Sequence, residues 1–295
     1  MRILDFGSLN IDYVYQVDHM VRPGETLAAG RRDVFPGGKG LNQAVACARA
    51  GAEVWQAGMV GPEGDLLLDV CKKAGVNTDL VARTDVATGH TVIQVDRGGQ
   101  NCILLYGGAN RQIDEAYADD VLAHFSPGDY VILQNEISCL PHIVDKAARR
   151  GLKVILNPSP YNDALDAVDM SKVSLFLLNE VEGAQVSGGS TDPDEILARL
   201  GEKYPDSAVV LTLGSAGSRY QKGAERHEQG IYHVKAVDTT AAGDTFTGYF
   251  VWAMSVGKPV PEALDLAARA SAIAVTRAGA VPSIPTMDEV LAAKL

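Results

Sequence analysis

Residues 236–250 read Ala-Val-Asp-Thr-Thr-Ala-Ala-Gly-Asp-Thr-Phe-Thr-Gly-Tyr-Phe, and the rest of the chain is organised around them. Val234 to Val237 read as the end of a strand, whereas Phe246, Phe250, Ala253 and Met254 have the apolar spacing of a helix. Small residues lie between, so a helix is expected to begin at or near Gly243. The first turn of a helix carries N–H groups without intrahelical partners and the positive end of a dipole, and it attracts phosphate or a developing oxyanion. Asp244 falls on that turn, where a carboxylate can accept a proton beside the anion pocket. A base next to an anion site is what phosphoryl transfer to a hydroxyl requires. Taken alone, Asp238 and Asp244 also suit helix capping, with Gly243 easing the turn.

A second glycine-rich stretch lies far upstream. Pro36-Gly37-Gly38-Lys39-Gly40-Leu41-Asn42-Gln43-Ala44 leads into a helix through Ala50 that Gly51 closes. Three glycines before a helix let a ligand touch backbone. Gly40 follows Lys39 where a Walker A loop needs Ser or Thr, and the third glycine of a dinucleotide fingerprint is missing.

Around these two stretches the chain has 295 residues, 46% of them hydrophobic and 21% charged, which suits one large α/β domain. Its net charge of −11 argues against nucleic acid as a partner, because no Lys/Arg cluster offsets it. Cys47, Cys71, Cys102 and Cys139 lack CxxC pairing and are expected to be reduced thiols in a cytoplasmic protein. No long apolar segment suggests a signal peptide or a membrane span, and the six histidines show no zinc-ligand spacing.

Arg2 to Gly7 reads as a buried first strand, with Asn10 and Asp12 just beyond its carboxyl end, where open α/β sheets bind ligands. Tyr13–Val17, Arg31–Phe35, Thr91–Asp96 and Cys102–Tyr106 fall outside the βα rhythm and predict a small projecting sheet over about residues 11–35 and 89–107, a lid over the site, an interaction surface, or both. From Glu53 onward strands are expected near 53–57, 129–134, 152–156, 174–178 and 207–213. Helices are expected near 63–74, 114–124, 139–150, 192–204, 243–256 and 260–277. This alternation means a mostly parallel central sheet with helices on both faces, in one domain over 1–295. Glu136, Asn157, Asn179 and Glu182 fall at or beyond predicted strand ends. Asn179 and Glu182 suit Mg2+, which takes few protein ligands, and they equally suit a capping box. Gly214 to Gly217 follows another strand and also reads as a plain hairpin turn.

With both glycine stretches in order, the chain resembles the ribokinase-like (PfkB) carbohydrate kinases. Gly37 to Ala44 is similar to that family's first signature and Asp238 to Phe246 to its second. Gly7-Ser8-Leu9-Asn10-Ile11-Asp12, Pro23-Gly24-Glu25-Thr26, Gly108-Ala109-Asn110, Thr212-Leu213-Gly214-Ser215 and the Ala272–Arg277 segment extend the likeness nearly end to end. The resemblance implies transfer of the γ-phosphoryl group of ATP to a sugar hydroxymethyl. Asp244 is then the general base, and the N–H groups of Ala241, Ala242, Gly243 and Asp244 form the anion hole, with Ala241 where the family usually has Gly. It carries sugar contacts to Asn10, Asp12, Gly38, Lys39, Asn42, Glu136 and Asp244. Nucleotide contacts fall on Asn179, Thr212, Gly214, Ser215 and Gly217, with Glu182 ordering Mg2+ through water. A monovalent cation, usually K+, is implied at Asp238, Thr240, Ala274, Arg277, Gly279 and Ser283. The lid is implied to cover the sugar and to pair two subunits into a homodimer.

Within that resemblance Asn10 and Asp12 together imply a pentose as acceptor, D-ribose giving ribose 5-phosphate. His90 and Thr91, the Gly-Gly before Ala109 and the Asn-Glu before Ile137 depart from the commonest pattern and leave fructose or ketohexose derivatives, deoxyribose and nucleosides as alternatives. A sugar-binding sensor without activity is the rival from another class.

Overall fold

The structure is a computed structural model that describes residues 1–295. The first strand sets the layers. In β1 (Ile3–Phe6), Ile3 enters the apolar layer on one side and Leu4 and Phe6 the layer on the other, as the two-residue period of a strand requires. Continuous apolar runs that feed both layers build the same sheet outward. They are β4 (Val54–Val60), β8 (Tyr130–Gln134), β9 (Lys153–Asn157), β10 (Leu175–Asn179) and β11 (Ala208–Thr212). Three further strands complete it: β5 (Asn77–Arg83), β12 (Ser218–Lys222) and β13 (Glu225–Gln229). The order is β13-β12-β11-β10-β9-β8-β1-β4-β5, parallel throughout except for the pairings of β12 with β11 and β13.

One face carries α1 (Lys39–Ala50), α2 (Asp65–Lys73), α7 (Ala242–Ser255), α8 (Val260–Ala274) and the short α9 (Met287–Ala292). The other carries α3 (Glu115–Ala123), α4 (Leu140–Arg149), α5 (Glu180–Ser187) and α6 (Pro193–Lys203). Tyr249 and Phe250 of α7 are wholly buried, each stabilising the layer by about 2–3 kcal/mol of apolar burial. Gly248 lets α7 press onto α1, since a Cβ there would lie 2.4 Å from Ala46 Cβ and 2.7 Å from Cys47 N. No helix is long and apolar enough to cross a membrane.

The remaining strands form the expected second sheet. β2 (Asn10–Gln16), β3 (Arg31–Gly37), β6 (Gly89–Val95) and β7 (Asn101–Tyr106) lie in the order β3-β2-β6-β7, with a parallel β2–β6 pairing at the centre.

Three expectations need correction or extension. Val234–Val237 is not a strand: it has no partner strand, and the N–H groups of Val237 and Asp238 instead donate to Val275 O at 2.7 and 3.2 Å. β5, β13, α5 and α9 were not foreseen. The first two are polar strands at the sheet's margins, and the two helices span only eight and six residues. Gly214–Gly217 is the hairpin turn between β11 and the antiparallel β12.

Candidate active site

The first glycine stretch packs against the end of β1. A Cβ on Gly40 would lie 2.5 Å from Gly7 C and Ser8 N, so only glycine permits this approach of α1 to the strand. Gly38 has φ +94°, and a Cβ there would meet Asn10 N at 2.9 Å. The start of α1 is thereby brought against α7, and the two signatures meet at one carboxylate. Asn42 Nδ2 donates to Asp244 Oδ2 and Gln43 Nε2 to Asp244 Oδ1, each at 2.9 Å.

Asp244 lies in the first turn of α7, which begins at Ala242. Ala241 is held in the left-handed region at φ 59°, a conformation that costs a non-glycine residue about 1 kcal/mol and is commonest where function demands it. The N–H groups of Ala241, Gly243 and Asp244 have no acceptor within the chain, whereas that of Ala242 donates to Thr239 O at 3.2 Å. The expected four-donor hole thus has three free donors, because a tight turn takes up the fourth. Ala241, Gly243 and Asp244 all line one open cavity, and a Cβ on Gly243 would meet nothing within 4 Å.

That cavity is one of a joined pair. One, of about 440 Å3, is lined by Thr212, Gly214, Ser215, Gly217, Gly243 and apolar side chains such as Phe246 and Val275. The other, of about 240 Å3, is polar and takes in Lys39, Asn157, Asn179, Glu182, Ala241 and Asp244. They share Thr212, Thr239 and Gly243, so an elongated ligand with an apolar end and an anionic end can span both.

Burial alone would lower the Lys39 ammonium, but the charges of Asp244, Glu136 and Glu182 outweigh it and raise it. Lys39 is therefore a fixed cation beside the turn. Glu136 accepts from Ser8 Oγ and, at 3.3 Å, from Lys39 N. Asn110, buried in the core, donates to Asn10 Oδ1 at 2.7 Å and orients it. Thr91 Oγ1 donates to Asp12 Oδ1 at 2.6 Å. Burial, opposed by the Thr91 bond and reinforced by the Glu136 charge, pushes the Asp12 carboxyl up to about 6.

Asn179 and Glu182 form the capping box of α5. Asn179 Oδ1 accepts from Glu182 N at 2.9 Å, and the Glu182 carboxylate accepts from Asn179 N at 3.1 Å. Glu182 is thus a structural cap that also borders the polar cavity. A carboxylate in this position retains lone pairs for a water held by Mg2+, so the residues fit a water-mediated ion rather than a protein cage.

The implied cation residues come together only in part. Asp238 Oδ1 accepts from Thr240 N and Oγ1 at 2.9 and 2.6 Å, and its Oδ2 accepts from Gly279 N at 2.8 Å, joining the two segments. The carbonyls of Thr240, Arg277 and Gly279 accept no hydrogen bond within the chain, which suits a monovalent cation. Ala274 O takes the Arg277 N–H, the Arg277 side chain pairs with Glu289, and the Ser283 hydroxyl donates to Ala280 O. Gln43, Ser8 and Asn110 were missed as members of the site, whereas Thr91 was singled out only as a lid residue that departs from the commonest pattern. Gln43 and Ser8 stand inside motifs read for their glycines and asparagines.

A model of the pfkB family carbohydrate kinases matches residues 2–287. A ribokinase of Haemophilus influenzae is 34% identical over 97% of this chain and 95% of its own length. The crystal structure of a ribokinase from Thermotoga maritima superposes with a TM-score of 0.90 at 34% identity, covering 99% of this chain and 98% of the other. An Arabidopsis thaliana ribokinase solved with ribose and ATP superposes at 0.86 and 29% identity, covering 98% of this chain and 97% of the other. Joined to a nucleotide-sized cavity and a carboxylate held at a helix start by both glycine signatures, these likenesses assign the chain to the pfkB family of carbohydrate kinases.

Proposed function

We propose that this protein is an ATP-dependent sugar kinase acting on D-ribose to give ribose 5-phosphate and ADP. The observation that carries the reading is Asp244, fixed by Asn42 and Gln43 beside three unpartnered N–H donors. On this reading Asp244 takes the proton of the acceptor hydroxymethyl as its oxygen attacks the γ-phosphorus of ATP. The N–H groups of Ala241, Gly243 and Asp244, with Lys39, stabilise charge on the transferring group, and the bond to the ADP oxygen breaks. Asn10, Asp12, Gly38, Lys39, Asn42 and Glu136 bind the sugar hydroxyls, and a polar set of this kind discriminates by leaving unmatched partners unsatisfied. The nucleotide lies along Asn179, Thr212, Gly214, Ser215 and Gly217. Similarity to ribokinases over nearly the whole length supports ribose as the acceptor.

Mg2+, bound through water at Glu182, would neutralise phosphate charge. K+, held near Asp238 by the carbonyls of Thr240, Arg277 and Gly279, would fix the shape of the anion turn. Ala274 and Ser283 complete the proposed cation set through backbone. The four-stranded sheet acts as a lid over the sugar, carrying Asp12 and Thr91 toward it. Ile103, Leu104, Leu105 and Tyr106 of its margin strand β7 are exposed, which favours a homodimer through the lid. Four free cysteines accord with a cytoplasmic enzyme.

The test is ADP release with Mg-ATP and K+ across ribose, deoxyribose, fructose, other pentoses and hexoses, and adenosine. The highest kcat/KM is expected with ribose. A different winner moves the substrate while keeping the chemistry, and sugar-independent or absent turnover overturns the proposal.

A further inference from the structure

Behind Asp244, away from the cavities, runs a line of buried polar side chains that the proposed reaction does not use. Asp5 of β1 and Gln134 of β8 stand on adjacent strands, wholly buried on the face that α1 and α7 cover. Gln134 Nε2 donates to Gln43 Oε1 at 2.8 Å, and Gln43 Nε2 donates in turn to Asp244 Oδ1 at 2.9 Å. Gln134 Nε2 also lies 3.3 Å from both oxygens of Asp5.

The far end of the line is chemically incomplete without a proton. Gln134 Oε1 is buried and has no donor. It and Asp5 Oδ1 lie 2.1 and 2.6 Å from the point that a Cβ on Gly7 would occupy, so the two oxygens border the same small space beside Gly7. A proton between two such oxygens removes their repulsion and satisfies the orphan acceptor. Burial pushes the Asp5 carboxyl well above its ordinary range, against the Gln134 hydrogen bond and with the Asp244 charge. The other titratable groups that feel Asp5 are the Cys47 thiol of α1 and the Cys71 thiol of α2, and no cation is among those acting on it.

We propose that Asp5, Gln134 and Gln43 are positioning residues for Asp244: the Asp5 hydroxyl donates to Gln134 Oε1, which fixes the Gln134 amide, and that amide keeps an N–H rather than a carbonyl of Gln43 on Asp244 Oδ1. Every amide in the line then has one orientation. With Oδ1 held from behind, Oδ2, whose one partner is Asn42, is the oxygen that takes the substrate proton. This inference rests on the reading of Asp244 as the proton acceptor.

Three variants test it through kcat, KM for ATP, the pH profile of kcat, and the unfolding midpoint. Gln43→Glu keeps the shape but sets a second carboxylate against Asp244, and two such groups share one proton. Its kcat at pH 7 is expected to fall about tenfold or more, with the acid limb moved up by about one pH unit and KM for ATP held. Asp5→Asn preserves both the donor to Gln134 Oε1 and the acceptor, so its kcat is expected within about twofold of the parent, whereas Asp5→Val loses about tenfold. A parental kcat and pH profile in Gln43→Glu overturns the proposal, as does an Asp5→Asn enzyme that loses as much turnover as Asp5→Val. Should Asp5→Val not fold, the two shape-conserving variants decide between the outcomes. Asp244→Asn separates the underlying reading: normal turnover there removes the proton acceptor itself. An inactive Asp244→Asn beside an unaltered Gln43→Glu removes only the positioning line.

Discussion

Acid should weaken sugar binding through Asp12. Its carboxyl is raised to about 6 by burial, with the Thr91 hydrogen bond pulling it down and the Glu136 charge pushing it up. On the proposed reading the ionised form accepts hydrogen bonds from sugar hydroxyls, and the protonated form loses that capacity. An acid with a raised pKa is ionised above it, so affinity is present at pH 7 and is lost as the pH falls through about 6. One unit below the pKa, about one-tenth of the carboxyl is ionised, which predicts a roughly tenfold weaker Kd for ribose at pH 5 than at pH 7. The measurement is calorimetric titration of ribose without ATP, so that turnover and phosphate ionisation do not intrude. Thr91→Val removes the one interaction that lowers the pKa, so its transition should move to higher pH. Asp12→Asn should bind weakly with no slope. A Kd that stays flat between pH 5 and 7, or a slope that survives in Asp12→Asn, refutes the reasoning.

Asp244→Asn should cut kcat by about 10²–10⁴ with an unchanged unfolding midpoint, as measured by ADP release and calorimetry. Replacing K+ by a large cation that carbonyls cannot coordinate should lower kcat, and equal rates in both salts would remove the proposed site near Asp238. Gly248→Ala gains about 1 kcal/mol of helix propensity. It sets a Cβ 2.4 Å from Ala46 Cβ. Overpacking of about 1–3 kcal/mol should therefore prevail in denaturant unfolding. Leu104→Lys, at a side chain 70% exposed on β7, should break the proposed lid dimer in light scattering while the fold is kept.

Much of the fold was legible because buried parallel strands such as Val131-Ile132-Leu133 announce themselves as apolar runs, and α4 and α6 carry a clear amphipathic period. The elements that escaped lack such marks. β5 reads Asn-Thr-Asp-Leu-Val-Ala-Arg because it is a sheet edge with one face toward solvent. α5 has a glycine at its centre and little apolar asymmetry, and is held at its start by its capping box. Val234–Val237 misled in the opposite direction: β-branched residues suggest a strand, but pairing decides, and no neighbouring strand is there. The two signatures pointed to the turn before α7 and to Asp244 in its first turn. They did not reveal that Gln43 and Asn42 both hold Asp244, because side-chain direction depends on how α1 and α7 cross. Asp5 carried a signal in plain view, a charged residue in Ile-Leu-Asp-Phe, which a purely apolar strand has no reason to contain.

The carboxylate and its holders are separated by 202 and 201 residues of chain. During synthesis the ribosome therefore extrudes the helix of the first signature long before Asp244 exists, a delay of about 10–40 s at ordinary elongation rates. Throughout that interval the growing polypeptide lacks Asp244 and the turn before α7 on which the proposed transfer depends. The proposed chemistry therefore becomes available only after Asn42, Gln43 and Asp244 have all emerged and met.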